Sequence, residues 1–209
     1  MQEVLQPRGP FRNIKDILLA SASPRRQELL QRLGINFQVR PSQSPEPEWE
    51  GAQKDPEDFA VNSARQKALD VQERSGPGVV IAADTVISLD GEILGKAKDS
   101  EQALAIMQKI SGRSHQVITG CYLADREGAP ESFSVCTRVN FAEFEEDTLA
   151  AYVRTGEFRG KAGAYAIQGV GAFLVAGING SYTNVVGLPL QEVLQTLLRM
   201  KAVRTEEEE

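Results

Sequence analysis

The sequence predicts an α/β fold built on a mixed sheet, and three observations carry that prediction. Strand-like apolar runs alternate with amphipathic helical stretches, the pattern of a sheet covered by helices. One run, Val79–Leu89 (VVIAADTVISL), is apolar almost without a break, as a central strand covered on both faces should be. Hairpin signals such as Asp90-Gly91 interrupt the alternation, so part of the sheet must be antiparallel.

The elements follow in order. Residues 1–15 mix Glu3, Arg8, Arg12, Lys15 and two prolines, and read as a flexible arm. Ile17, Leu18, Leu19 and Ala20 form a short strand that runs into Ser21-Ala22-Ser23-Pro24-Arg25-Arg26. Ser23 suits a helix N-cap and Pro24 the first helical position; Leu29, Leu30 and Leu33 continue the helix and Gly34 stops it. Residues 37–39 read as a second short strand, and 41–55, rich in Pro, Ser, Glu and Gln, as a mobile loop. Asp55-Pro56 caps a helix reaching about Arg74, with Ala60, Ala64, Lys67 and Val71 on one stripe.

After Val79–Leu89 and its turn, Glu92–Leu94 returns, and a helix over Ser100–Ile110 ends at Gly112. Residues 116–124 and 132–144 make a long antiparallel pair, followed by a helix near 145–155 that ends at Gly156. A glycine-rich stretch over 160–171 precedes a strand at 173–176 and a turn at Ile178-Asn179-Gly180. Pro189 opens the last helix, with Leu190, Val193, Leu194, Leu197 and Leu198 toward the core. Residues 203–209 read as a disordered acidic tail, leaving 16–202 as a single domain.

Composition narrows the function. The chain has 209 residues and is 41% hydrophobic, ordinary for a globular protein. A net charge of −6 argues against broad nucleic-acid binding but leaves room for a local basic pocket. No apolar run is long enough for a bilayer, and the N-terminus lacks a signal-peptide core, so no membrane partner and a cytoplasmic location are expected. Cys121 and Cys136 are expected as free thiols, roughly opposite each other across a hairpin centred on 126–130. His115, the only histidine, follows Gly112-Arg113-Ser114 at the start of a strand and reads as structural. With one histidine and no paired cysteines, any metal is held by oxygen, which points to Mg²⁺ or Mn²⁺ rather than structural zinc.

Two features point to anion chemistry. The first helix presents unpaired N–H groups, Ser21, Ser23, Arg25 and Arg26 at its positive pole. Arginines there cost about a few tenths of a kcal/mol each against the helix dipole, so a bound phosphate or polyphosphate would give them a purpose. The second feature is Asp84 with Thr85 inside the apolar strand, where a carboxylate is costly unless it meets a cation or a metal.

These segments resemble a known family. Leu19-Ala20-Ser21-Ala22-Ser23-Pro24-Arg25-Arg26, Lys67-Ala68, Ala83-Asp84-Thr85, Ser111-Gly112-Arg113-Ser114-His115, Lys161-Ala162-Gly163-Ala164-Tyr165 and Val186-Gly187-Leu188-Pro189 occur in the order found in the Maf nucleoside triphosphate pyrophosphatases, over about residues 17–200. The resemblance implies an elongated mixed sheet in two lobes around a central cleft, related to the inosine triphosphatases. It implies hydrolysis of a nucleoside triphosphate to the monophosphate and pyrophosphate with a divalent metal, and it leaves a homodimer open. The family's proton acceptor falls at Asp84 and its specificity positions at Arg25, Thr85 and Gln168. Arg, Thr and Gln there resemble the dTTP/UTP branch; an aromatic residue, Gln and Glu mark the 7-methyl-GTP branch. Another base preference, such as modified pyrimidine nucleotides or 7-methyl-GTP, and a nucleotide-binding regulator of septum formation with little hydrolysis, stay open as alternatives.

The chain departs from the family pattern at three places. Pro45-Glu46 replaces an Asp-Glu pair, Ala97 replaces the proline after Lys96, and Ala166 replaces a common Gly. On this reading Asp84 activates water, Glu46 helps Asp84 hold Mg²⁺ or Mn²⁺, and Ser23, Arg25, Lys67 and Lys96 bind the triphosphate. The Gln168 amide, with one donor and one acceptor, matches O4 and N3–H of uracil or thymine.

Overall fold

Residues 9–49 and 55–206 are described by a computed structural model. The first part of the expected arm (1–8), part of the expected loop (50–54) and the end of the expected tail (207–209) lie outside the described residues. The elements are β1 (Phe11–Asn13), β2 (Ile17–Leu19), α1 (Pro24–Gln31), β3 (Gln38–Val39), α2 (Pro56–Glu73), β4 (Val79–Leu89), β5 (Glu92–Leu94) and α3 (Ser100–Ile110). They continue with β6 (Ser114–Asp125), β7 (Glu131–Phe141), α4 (Glu146–Arg154), a 3-10 helix (Gly169–Leu174), β8 (Val175–Asn179), α5 (Tyr182–Val186), α6 (Leu190–Arg199) and β9 (Val203–Thr205).

The main sheet runs β3-β2-β4-β6-β7-β8, with β5 added to β4. The pairs β2/β3 and β2/β4 are parallel and the rest antiparallel, so the sheet is mixed and the class is α/β, as the alternation and the hairpins predict. β4 is central because it is apolar along its length; only Asp84 and Thr85 in it are less than buried. Asp55 caps α2 by accepting from the Glu57 amide at 2.8 Å.

The edges of β4 position everything that follows. One edge is bonded to β6 from Val79 to Ser88. The other is bonded to β2 over 79–81 and to β5 over 87–89, leaving 82–86 unpaired on that side. The cores change at the same place. On one face Ile81 and Ala83 belong to the cluster under α1 and α6, while Ile87 and Leu89 belong to the cluster that takes in Met107, Leu149 and Phe158. On the other face Ala82 packs with Ala64 and Ala68 of α2, and Val86 with Ala60 and Ile118. Asp84 and Thr85 stand at this double gap.

Gly120 of β6 lies opposite Asp84. A Cβ there would come within 2.3 Å of Ala60 C and Val61 N in α2, so the absence of a side chain sets how closely this helix approaches the sheet. Gly120→Ala is expected to push α2 away, costing about 1–3 kcal/mol of stability and lowering activity through the displaced Lys67. Urea unfolding beside a turnover assay checks this. Parental values in both would mean that the helix does not depend on the contact.

Several expectations are corrected. Phe11–Asn13 and Val203–Thr205, placed in the arm and the tail, pair as a separate antiparallel sheet, so the ordered chain extends beyond 16–202 at both ends. The strand expected at 173–176 begins at Val175; Phe173 belongs to the 3-10 helix, and Ile178-Asn179 is strand because it pairs with Arg138 and Val139. Leu198 is 37% exposed and Thr196 takes the inward position. Cys121 faces Phe133 across the hairpin and Cys136 faces Ile118. That three-residue offset sets the two thiols on opposite faces, one buried and one exposed, both free. Ser23 stands at the N-cap of α1, but its side chain makes no capping bond; the Ser23 amide donates instead to Ser21 Oγ at 3.2 Å. Part of the loop expected to be mobile is tied down: Asp70 of α2 accepts from Ser42 Oγ at 2.9 Å and the Gln43 amide at 2.8 Å. Among the described residues, no helix is long and apolar enough to cross a membrane.

Candidate active site

The unpaired edge of β4 opens into a cavity of about 340 Å³, within the range of small-ligand sites. The end of β2 leads directly into it, so Ser21, Ser23 and the N-terminus of α1 form one wall. All eight residues predicted from the sequence line it: Ser23, Arg25, Glu46, Lys67, Asp84, Thr85, Lys96 and Gln168. Asp84 and Thr85 are neighbours in a strand and point to opposite faces. Both reach the cavity because it wraps around a strand edge instead of lying on one face.

Each carboxylate has a lysine. Lys67, on the α2 stripe, donates through Nζ to Asp84 Oδ1, and both side chains are mostly buried (14% and 17% exposed). The anion that Lys67 meets in this structure is therefore the Asp84 carboxylate. Lys96 Nζ lies 2.5 and 2.6 Å from the two oxygens of Glu46, an exposed pair of the weakly stabilising kind. Asp70 holds residues 42 and 43 and so carries Glu46 to the cavity rim; the Arg74 guanidinium and the Gln43 amide outweigh burial and hold the Asp70 carboxyl well below the usual carboxylate range.

Two further cations line the site: Arg26, which the sequence places at the α1 pole beside Arg25, and Lys161, which sequence reasoning missed. Arg26 donates through Nε to Gly187 O (2.7 Å), Nη1 to Ser21 Oγ (3.2 Å) and Nη2 to Thr85 Oγ1 (3.1 Å), which are neutral partners. Burial and the nearby Arg25 push its pKa down, against Asp84. Lys161 donates to Glu157 O at 2.5 Å, and burial followed by Arg25 lowers its pKa as well. A second signal for Arg26 is its spacing: it sits three and four residues before the buried Leu29 and Leu30, on the inward face of α1. Lys161 had no such signal, because a bridge between Lys96 and Ala162 brings its loop to the site.

The charges do not balance. Arg25, Arg26, Lys67, Lys96 and Lys161 face Glu46 and Asp84, five cations against two carboxylates, a surplus of three positive charges. Among the described residues, Arg25, Arg26 and Lys161 have no ion-pair partner. Such a surplus inside a chain of net charge −6 suits a polyanion. A metal fits the donor set. No group of three His, Cys, Asp or Glu side chains gathers among the described residues, but Mg²⁺ needs only one or two carboxylates when substrate phosphates and water complete its shell. Asp84 and Glu46 supply those oxygens in one cavity.

His115 supports the site from behind. It is 2% exposed, and its Nε2 lies 2.7 Å from the hydroxyl of Tyr165, a cavity residue. Burial lowers its pKa from 6.5 to about 4. Because the folded value is depressed, the unfolded chain binds the proton first as pH falls. The stability that neutral His115 contributes is complete above about pH 6.5 and is lost on the way down to about pH 4, by about 3 kcal/mol. His115→Gln is expected to flatten that slope in urea unfolding between about pH 7 and 4. Equal slopes for parent and variant would remove His115 as its source. Cys121 plays no acid–base part, since burial pushes its thiol up to about 12.

The chain is similar to proteins of known name. It is 45% identical to a dTTP/UTP pyrophosphatase of Nitratidesulfovibrio vulgaris over 93% of this chain and 92% of that one. It is 47% identical to a dTTP/UTP pyrophosphatase of Geotalea uraniireducens over 90% of this chain and 96% of that one. A solved nucleoside-triphosphatase, a dITP/XTP pyrophosphatase of Mycobacterium abscessus, aligns over 89% of this chain and 96% of that one with a TM-score of 0.46 and 19% identity. The family model described as Maf-like protein matches residues 16–200, and the chain belongs to the Maf family.

Proposed function

We propose that this protein hydrolyses dTTP and UTP to the nucleoside monophosphate and pyrophosphate. The observation that carries the reading is the single cavity in which a lysine-held carboxylate, Asp84, shares space with a surplus of three positive charges. Relatives named dTTP/UTP pyrophosphatase at 45% and 47% identity support the substrate.

Asp84 orients a water toward the α-phosphorus and accepts its proton. The water oxygen bonds to that phosphorus, the bond to the bridging oxygen between the α- and β-phosphates breaks, and pyrophosphate leaves with the electron pair. Lys67 keeps the Asp84 carboxylate in place. Arg25, Arg26, Lys96 and Ser23, with the N-terminus of α1, bind the triphosphate and cover the charge that grows on the leaving group. Glu46 and Asp84 would hold Mg²⁺ or Mn²⁺, which when bound neutralises phosphate charge. Thr85 aims the Arg26 fork by accepting from Nη2. Gln168 donates to O4 and accepts from N3–H of the pyrimidine.

A nucleotide panel tests the reading. Pyrophosphate release with Mg²⁺ or Mn²⁺ is expected to be fastest for dTTP and UTP, ahead of CTP, ATP, GTP and 7-methyl-GTP. Release of orthophosphate instead, or binding without turnover, would overturn it.

A further inference from the structure

Glu157 lies just beyond α4 and is not among the cavity-lining residues, yet its carboxylate makes bonds out of proportion to a loop residue. Its Oε1 accepts from the Val170 amide at 3.0 Å and its Oε2 from the Gly171 amide at 2.8 Å. The residue is itself fixed, because its amide donates to Thr155 Oγ1 at 3.2 Å and its carbonyl accepts from Lys161 Nζ at 2.5 Å. Gly169 stands between these amides and Gln168 with φ +77°, and a Cβ there would lie 2.2 Å from Glu157 Oε1. Burial opposes the Glu157 charge, but the amides of Gly171 and Val170, then Tyr152 and Lys161, outweigh it and hold the carboxyl below its ordinary pKa. Both oxygens therefore act as acceptors at neutral pH.

On the other side of Gln168, the Tyr165 hydroxyl is bonded to His115. The stretch from 165 to 171 is thus pinned at both ends, and Gln168 lines the cavity from between the pins. A side-chain amide separates uracil or thymine from cytosine only while its oxygen and nitrogen keep one order; turned over, it matches cytosine. Something must hold the backbone from which that order is set.

We infer that Glu157 is a positioning residue for base selection: by spanning the Val170 and Gly171 amides, it fixes the segment that presents Gln168 to the pyrimidine. The inference rests on the reading of Gln168 as the base contact. A residue that merely stabilised the 3-10 helix would change turnover of all nucleotides together, whereas a positioning residue changes their ratio.

The test compares kcat/KM for UTP and CTP in the parent, Gln168→Ala, Glu157→Gln and Glu157→Asp. Gln168→Ala is expected to lower the UTP-to-CTP ratio. Glu157→Gln sets an NH₂ group against a backbone N–H and is expected to lower the ratio by about tenfold. Glu157→Asp keeps two acceptors on a shorter stem and is expected to fall between that variant and the parent. Hydrogen exchange at the Val170 and Gly171 amides should quicken in step with the lost ratio. A ratio lost in Gln168→Ala but kept in both Glu157 variants overturns the inference and leaves the Gln168 reading standing. A ratio kept in Gln168→Ala overturns both. Should Glu157→Gln fail to fold, Glu157→Asp carries the same comparison.

Discussion

Replacing Asp84 with Asn is expected to lower kcat for UTP by about 10²–10⁴-fold, the range a general base contributes. Asn fills the same space in β4, so the strand and its pairing to β6 should survive. The change removes the carboxylate charge that faces Lys67, and with it the proposed proton acceptor. Lys67 is 14% exposed and faces the cavity, so water can take over part of its solvation and the loss of stability should be small beside the loss of rate. Steady-state kinetics on UTP, with thermal melting as the control for folding, checks this. Turnover near the parental value would take the proton-accepting role away from Asp84.

Arg26→Gln is expected to reduce kcat/KM on the order of 10²-fold, the scale seen when one fixed donor to a developing anion is removed. Arg26 makes three bonds to neutral groups and has no ion-pair partner among the described residues, so its charge is left for the ligand. A planar fork meets phosphate oxygens in a way that a lysine cannot reproduce, and Arg26→Lys is expected to recover charge but only part of the activity. The variant also leaves Gly187 O without a donor, which is expected to cost about 1–3 kcal/mol of stability. Kinetics with Gln and Lys at position 26, together with binding of a non-hydrolysable UTP analogue, separates the two effects. Unchanged kcat/KM in Arg26→Gln would mean that the guanidinium serves only to tie Ser21, Thr85 and Gly187 together.

Much of the site was legible because its residues broke local rules. Asp84 was found as a charge in an apolar strand, Lys67 as a charge on an apolar helical stripe, and the α1 pole as basic residues where acidic ones belong. Each violation needs a compensating partner, and the partners turn out to share one cavity. Lys161 and Glu157 broke no local rule. One gains its place from the bridge between Lys96 and Ala162, the other from amides thirteen and fourteen residues further on. The misread strand at 173–176 belongs with them, since apolar spacing could not tell a 3-10 helix from an edge strand over so few residues.

By itself the sequence determined the class, most of the longer strands and helices between Ile17 and Arg199, and the chemistry available. Periodicity, caps and turns act within a few residues, and a charge in an apolar setting is visible from its neighbours alone. Only the tertiary structure decided where that chemistry gathers. β4 gives one edge to β6 throughout and shares the other between β2 and β5, so the cavity lies at the stretch between them that neither covers. Gly120 lets α2 come close enough for Lys67 to reach Asp84. Strand pairing and helix approach join residues far apart in the chain, and no local pattern records the distance between them.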